Sequence, residues 1–293
     1  MGDKKWEGTT YGNSLMHRWL IAILRVVDVR PIYWFAYIFV IPSSMLFGSG
    51  YGHIYRYFRR SYGESPLKAF WHTYQNHCLF AEAVIDKFAM YAGRRFDIKV
   101  EGLAYFQRLA ERPDGFVQLS SHVGNYELAG YSLVSVDKRL NALVFPGEKE
   151  SVMRNRTRMF EHTNIRMIPV REDMSHLFEI DAALCRGEMV SIPADRIWGS
   201  QKFLSATFLG REAHFPQGPF RVATARGVDV LSLSVMKTST LGYTIYATPL
   251  TYDREAPRSQ QMQQLLTQYV TELERIVGQY PTQWYNYFDF WRQ

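Results

Sequence analysis

The sequence has few cysteines and few charged residues, and both shortages narrow the classes of protein it can belong to. Its 293 residues include two cysteines, Cys78 and Cys185, with no CxxC or CxxH pattern near either. Such a pair argues against a disulfide framework or a zinc site and fits a reducing compartment. The charged fraction is low, at 21%, while hydrophobic residues make up 47% and supply ample material for a core.

Motifs of several enzyme classes are also missing. The chain has no G-x-S-x-G elbow of a serine hydrolase, and its eight histidines show no H-E-x-x-H spacing. The glycine-rich stretch 48–60 lacks the G-K-[S/T] ending of a phosphate loop. The polar start of the chain does not resemble a cleavable signal peptide. We therefore predict no metal ion and no cofactor, and we find no repeat or linker within residues 60–293.

Aromatic and basic residues are abundant. Nineteen Tyr, nineteen Phe and seven Trp exceed what a core needs, and such side chains favour membrane interfaces. The net charge of +6 suits an anionic partner, which is a lipid surface, a nucleic acid or an acidic carrier protein.

Residues 31–52 carry no formal charge and are long enough for a membrane helix, which needs about 20 apolar residues. Pro42, Ser43 and Ser44 interrupt the run at its midpoint, and arginines flank it on both sides. Basic flanks at both ends disfavour a spanning orientation and favour a helical hairpin or an interfacial anchor. A pair of buried core helices is the alternative. We expect membrane-anchoring or interfacial helices over residues 1–62 and one globular domain over residues 63–293.

Beyond residue 96, short β-rich runs alternate with segments of helical character. This alternation predicts an α/β fold with a mixed, largely parallel sheet flanked by helices. The predicted helical segments lie around residues 126–136, 150–162, 175–187 and 218–226. A long helix is expected before the sheet, with Ser65 as its cap, Pro66 in its first turn and Gly93 at its end. Another, over QMQQLLTQYVTELERIVGQYP, is expected to stop at Gly278 and Pro281.

The stretch LSSHVGNYEL, residues 119–128, places His122 after an apolar run and Glu127 five residues later. We expect His122 on a strand-to-helix connection at the carboxyl end of a strand, where open α/β sheets bind ligands. Glu127 in the first helical turn can reach one ring nitrogen and leave the other as a base. Gly124 allows a substrate close to the backbone, and the amides that open the helix near Asn125 suit an oxyanion. A polar surface turn is the competing interpretation.

Four blocks in order resemble the glycerolipid and lysophospholipid acyltransferase superfamily. SSHVGNYELAG resembles its H-x4-D/E block, in the glutamate form that is typical of bacterial lipid A late acyltransferases. GEMVSIPADR, at 187–196, resembles the family's strand that ends at an aspartate. ATFLGREAHFPQGPFRVATARGVDVLSLSV and YPTQWYNYFDFW resemble its FFG…GP…A and P-x-Q-W blocks. The resemblance covers roughly residues 15–291, and the uncharged N-terminal segment fits the family's membrane anchor.

The resemblance implies that residues 63–293 are an acyltransferase domain. Its donor would be the thioester of an acyl carrier protein or of coenzyme A, and its acceptor a hydroxyl or amine of a lipid. His122 would remove the acceptor's proton while Glu127 holds and polarises the imidazole, without a covalent enzyme intermediate. The same resemblance implies a place on the cytoplasmic face of a bacterial inner membrane and no nucleic-acid partner.

The family also uses an arginine after the next strand. RNRTRMF offers Arg154, Arg156 and Arg158, of which Arg154 and Arg158 are favoured for substrate binding, although a solvated basic face is equally open. Asp195 matches the family's aspartate and joins Gly124 and Asn125 in the predicted substrate-binding set, with a structural cap as its alternative role.

The last block departs from the family pattern. Lipid A enzymes often follow P-E-Q-W with a pair of arginines, which suit a doubly phosphorylated sugar. This chain has Tyr287, Phe288, Asp289 and Phe290 instead, so the acceptor is expected to be a less anionic lipid.

Two other functions compete with acyl transfer. One is a thioesterase or hydrolase with Ser120 or Ser121 as its nucleophile. The other is a non-catalytic protein that binds membrane or single-stranded nucleic acid through its basic and aromatic surface.

Overall fold

The structure is a computed structural model that describes residues 14–48, 50–128, 133, 138–144, 163–197 and 202–293. Within these ranges the helices are α1 (Ser14–Val26), α2 (Val29–Phe35), α3 (Ile41–Phe47), α4 (Tyr51–Ser61), α5 (Pro66–Tyr91), α6 (Leu103–Glu111), α7 (His176–Cys185), α8 (Gln217–Arg226) and α9 (Arg258–Gln279). The strands are β1 (Asp97–Glu101), β2 (Phe116–Gly124), β3 (Leu140–Val144), β4 (Ile165–Pro169), β5 (Met189–Pro193), β6 (Phe203–Phe208), β7 (Arg211–Pro216), β8 (Asp229–Ser239) and β9 (Gly242–Leu250).

Seven strands form one sheet in the order β1-β9-β8-β2-β5-β3-β4, and β6 pairs with β7 in a separate hairpin. Within the large sheet β8 and β9 are antiparallel, and the other neighbours are parallel. The predicted mixed, largely parallel α/β fold is therefore confirmed. β2 lies at the centre, and its mostly apolar residues are buried on both faces, as a parallel sheet covered by helices requires.

Apolar residues of both sheet faces pack under helices. One cluster joins Leu265 and Ile276 of α9 and Phe220 of α8 to the sheet. A second cluster joins Phe106 of α6 to β2, β8 and β9. Each such large side chain contributes about 1.5–3 kcal/mol when fully buried. The two clusters hold β2 on both sides and fix the place of its carboxyl end.

The predicted helix ends are partly right. α5 starts at Pro66 after an extended Ser65, although the serine makes no side-chain cap hydrogen bond. It ends at Tyr91, and Gly93 then takes a left-handed conformation (φ 90°). The last long helix continues through Gly278 to Gln279. Glycine costs only about 1 kcal/mol relative to alanine in a helix, so it does not end one whose other face is packed.

The uncharged N-terminal run is helical throughout. A π-helical segment, Ala36–Val40, joins α2 to α3, so residues 29–47 form one continuous helix of a length and composition that could cross a membrane. One face of this helix, with Val29, Tyr33 and Ala36, packs on α5. In addition, Ile54 and Phe58 of α4 lie in the main core. Packing is therefore continuous across residues 62 and 63, and the division of the chain there stays a prediction.

A buried ionic cluster ties this helix to the sheet. The ammonium of Lys237 on β8 lies 2.5 Å from Asp86 and 2.9 Å from Glu82, both on α5. Tyr33 of α2 and Tyr243 of β9 donate to the Asp86 carboxylate, and all of these side chains are buried. One cation thus balances two carboxylates at the point where α2, α5 and the sheet meet.

Removal of that cation should destabilise the protein strongly. Lys237→Met leaves two buried carboxylates facing each other, and we expect a loss of about 3–5 kcal/mol in the free energy of unfolding. Denaturant titration in detergent measures this loss. Lys99→Met, at an exposed position of β1, makes the same replacement and should stay within about 0.5 kcal/mol of wild type. A Lys237→Met protein as stable as Lys99→Met would contradict the prediction.

Candidate active site

His122 lies inside the end of β2, and not in a strand-to-helix turn as predicted. Pairing of β2 with β5 stops at Ser120, and its register with β8 shifts between Ser120 and Gly124. Beyond Ser120 the C-terminal segment takes over as a partner. Val123 forms an antiparallel bridge with Trp284, and the Tyr285 amide donates to the His122 carbonyl over 3.3 Å. This extra strand partner explains why β2 continues past the histidine.

Gly124 and Asn125 make close contacts with other residues of the fold. Gly124 has φ 62°, and a Cβ there would lie 2.0 Å from the Val235 carbonyl oxygen. The amide of Asn125 donates to that same carbonyl over 2.8 Å, and its side chain donates to the Ala83 carbonyl over 3.2 Å. The Asn125 amide is therefore committed to β8, which removes it from the oxyanion role that we predicted for it.

Asp195 is the carboxylate that holds the imidazole. Its Oδ1 lies 2.8 Å from His122 Nδ1, and its Oδ2 accepts the His122 backbone amide over 2.8 Å. The parallel register explains the pair, because Ser120 lies opposite Pro193 and both chains continue two residues to these side chains. With its proton on Nδ1, the imidazole presents the Nε2 lone pair.

Glu127 lies on a short 3₁₀ turn, Tyr126–Leu128, and its carboxylate faces α5. It accepts from the Lys87 ammonium at 2.7 Å and from the Tyr91 hydroxyl at 3.3 Å. The Nδ1 hydrogen bond that we predicted for Glu127 is thus made by Asp195, which we had placed among the substrate-binding residues. Because His122 is still in the strand, five further residues carry Glu127 past it towards α5.

The electrostatic environment favours a neutral imidazole beside an ionised carboxylate. Burial and the positive charge of Arg196 lower the pKa of His122, and the attraction of Asp195 only partly opposes them. Burial raises the pKa of Asp195, but His122, their hydrogen bonds and Arg196 together bring it below its usual range. At neutral pH this pair is therefore in the state that a general base requires.

The C-terminal aromatic residues pack inside the protein. Phe290 is buried in the main core, Phe288 lies under the Arg196 guanidinium at 5.3 Å, and Tyr287 donates to the Asn76 side chain. Of residues 287–290, Asp289 is the one that faces outwards, towards Arg292. The departure from a basic pair thus has a packing reason, because three of the positions contact other side chains of the fold.

The other predicted residues divide into two groups. Arg154, Arg156 and Arg158 lie outside the residues that the structure describes. Ser120 and Ser121, the nucleophiles of the hydrolase interpretation, are both buried. Burial keeps their hydroxyls from an incoming ester, whereas the His122 side chain is partly exposed and is the better reactive group.

Comparison with known proteins gives one family match. The family model described as bacterial lipid A biosynthesis acyltransferase matches residues 82–293. No curated protein matches the chain. Among solved structures, the chain is similar to the 1-acyl-sn-glycerophosphate (LPA) acyltransferase PlsC from Thermotoga maritima. The TM-score is 0.41 and the identity 16%, over 92% of this chain and 99% of that one. The family match covers most of the chain and includes His122, Glu127 and Asp195, so the protein is an acyltransferase that belongs to the bacterial lipid A biosynthesis acyltransferase family.

Proposed function

We propose that the protein moves a fatty acyl chain from the thioester of an acyl carrier protein or coenzyme A to a hydroxyl or amine of a lipid. The observation that carries the proposal is the double hydrogen bond between His122 and Asp195 at the end of the central strand. It holds the imidazole through Nδ1, so that Nε2 is the basic nitrogen, and the two serines that precede the histidine are buried.

The chemistry needs one base. His122 Nε2 takes the acceptor's proton as its oxygen or nitrogen attacks the thioester carbonyl, and the imidazolium is stabilised by Asp195. The tetrahedral adduct then collapses, the carbon–sulfur bond breaks, and the proton passes from the imidazolium to the leaving thiolate. General base catalysis of this kind contributes about 10²–10⁴-fold to the rate. Positioning and oxyanion stabilisation supply the remainder.

Glu127 remains a proposed catalytic residue, with a role changed by its geometry. Lys87 and Tyr91 hold its carboxylate on the α5 side of the site, in the turn next to Tyr126, whose ring contacts the His122 ring edge-on. From there the carboxylate can accept a hydrogen bond from the attacking hydroxyl or amine. We propose that it orients the acceptor while Asp195 orients the base.

The acceptor that we propose is less anionic than a doubly phosphorylated sugar. Where such a sugar calls for two cations, this chain places Phe288 and Phe290, and both are packed against protein. Lipid mass spectrometry of cells with and without the protein identifies the acceptor. The product should be heavier than the acceptor by one acyl chain, and an unchanged lipid profile would oppose the proposal.

We also propose that the protein lies on the cytoplasmic face of the bacterial inner membrane. Large apolar side chains of α1, the 29–47 helix and α5 are exposed: Trp19, Trp34, Phe35, Phe39, Phe47, Phe70 and Trp71. Arginines of the same N-terminal region are also exposed, at positions 18, 25, 30, 56 and 60. Exposed apolar side chains together with exposed cations fit an anionic lipid surface.

The ionic cluster supports an interfacial position in preference to a spanning one. Tyr33 and Tyr37 on the inner face of the helix donate to Asp86 and Glu82, which share Lys237. If the helix crossed the bilayer, these charges would have to enter hydrocarbon beside it, which is costly. A helix that lies in the interface keeps its inner face on the protein and gives its outer face to lipid.

The first functional prediction concerns the three site residues. His122→Ala should reduce acyl transfer to background, and Asp195→Asn should lower kcat by about 10³–10⁴-fold because the amide cannot stabilise an imidazolium. Glu127→Gln should lower turnover and raise KM for the acceptor, since it weakens the acceptor's hydrogen bond. Steady-state kinetics on detergent-solubilised protein measure all three. Near-normal turnover in folded His122→Ala protein would exclude this mechanism.

Lys87→Met is the control for Glu127. It removes the ion-pair partner of Glu127 and leaves the carboxylate in place. If Glu127 acts on the acceptor, Lys87→Met should be clearly milder in turnover than Glu127→Gln. Equal kinetic losses in the two variants would make Glu127 an anchor to α5 without a catalytic part.

A second prediction concerns membrane binding. Phe39→Glu with Phe47→Glu puts two charges on the outer face and should abolish cosedimentation with vesicles that contain anionic lipid. Phe178→Glu is the matched control. Phe178 is exposed to a similar degree as Phe39 and Phe47, but it lies on α7, which contacts β4 and β5. Its binding should equal that of wild type. Release of all three proteins by high salt alone would indicate purely electrostatic docking.

A third prediction concerns the donor. In the helix that the sequence predicts around residues 150–162, Arg154 and Arg158 would share a face that Arg156 would not. We propose that this pair binds the acidic carrier protein or the phosphorylated cofactor. Changing both to Ala should raise KM for the donor and weaken its salt dependence, while Arg156→Ala does little. Identical kinetics in all variants would place the donor site elsewhere.

A further inference from the structure

A closed ring of contacts joins Arg196 to His122 through the C-terminal segment. The Arg196 guanidinium donates to the Tyr285 carbonyl over 2.9 Å, and the Tyr285 amide donates to the His122 carbonyl over 3.3 Å. His122 in turn binds Asp195, the residue before Arg196. The aromatic ring of Phe288 lies against the guanidinium. Arg196 therefore reaches the site through neighbours of the histidine.

We propose that Arg196 is a positioning residue for the base. Arg196 holds the segment around Tyr285 on His122, and its charge keeps the imidazole neutral between turnovers. The inference rests on the proposed function, because it explains how a histidine bound to a buried aspartate stays a base. Asp195 alone would favour imidazolium, since an opposite charge in contact stabilises the charged form. A protonated His122 has no lone pair for the acceptor's proton.

Arg196 is the cation that opposes this attraction. The titratable groups around the pair come from four elements. They are Asp195 and Arg196 after β5, Tyr126 on the 3₁₀ turn, Tyr269 on α9, and Tyr285 and Tyr287 of the C-terminal segment. The tyrosine pKa values on α9 and in the C-terminal segment are raised by burial, so those rings are neutral near pH 7. Among the residues that the structure describes, the charges that act on the His122 imidazole are then the Asp195 carboxylate and the Arg196 guanidinium.

Loss of the Arg196 charge should change the pKa of His122 in one direction. A positive charge beside an imidazole disfavours imidazolium, so loss of that charge raises the pKa of His122. The base then becomes protonated at a higher pH, and the acidic limb of the kcat/KM profile moves upwards. A purely structural role for Arg196 would lower the rate without moving this limb.

Three variants separate charge from packing. Arg196→Met removes the charge and keeps an apolar stem on Phe288, while Arg196→Lys keeps the charge and loses the planar fork. Arg211→Met is the control, because Arg211 also lies over an aromatic ring of the C-terminal segment, at 4.3 Å from Trp291. Arg196→Met should shift the acidic limb up by about one pH unit. Arg196→Lys and Arg211→Met should leave it at the wild-type position.

A second readout does not depend on turnover. The pKa of His122 is followed by NMR on full-length protein in detergent with ¹³C-labelled histidine, assigned by loss of the signal in His122→Asn. The same upward shift is expected in Arg196→Met. An unchanged His122 titration in that variant overturns the proposal, whether or not the enzyme proves to be active. If Arg196→Met does not fold, Arg196→Gln takes its place. Absence of acyl transfer by wild type would instead contradict the proposed function alone.

Discussion

The double hydrogen bond that Asp195 accepts from His122 is the interaction on which the site depends. One carboxylate oxygen binds the imidazole ring and the other binds the backbone amide of the same residue. The imidazole is therefore restrained in both rotation and position. The bond exists because β2 and β5 are parallel neighbours in a fixed register, and their chains leave the sheet side by side. Helices packed on both faces make that register rigid. The reactive geometry is therefore a consequence of the sheet.

The C-terminal segment completes what the sheet leaves open. After Ser120, β2 has lost β5 as a partner, and the bridge between Val123 and Trp284 supplies a replacement. Trp284 is itself held by a group of aromatic rings that includes Tyr57, Phe208 and Phe290. The many aromatic residues thus have two uses. Some are exposed on the N-terminal helices, and others pack around Trp284 and hold the C-terminal segment against the end of β2.

Much of this could be read from the sequence, and the failures have a common cause. The predicted β-rich runs beyond residue 96 are strands, and His122 lies at the carboxyl end of a central one, because local pattern and chain order determine both. Proximity in sequence and the resemblance to the H-x4-D/E block both favour Glu127 as the partner of His122. Asp195 holds the ring through strand register, a long-range property that no local motif contains. Gly124 was assigned to substrate approach, but the carbonyl of Val235 beside it requires a glycine.

The cluster around Lys237 has a consequence for how the chain is made. Tyr33 and Lys237 are 204 residues apart, yet they share one carboxylate. At about 5–20 residues per second, the ribosome needs roughly 10–40 s to synthesise the stretch between them. Until Lys237 is made, the carboxylates that accept from Tyr33 and Tyr37 lack their cation. The packing of the N-terminal helices and α5 on the sheet can therefore be completed only after β8 has been synthesised.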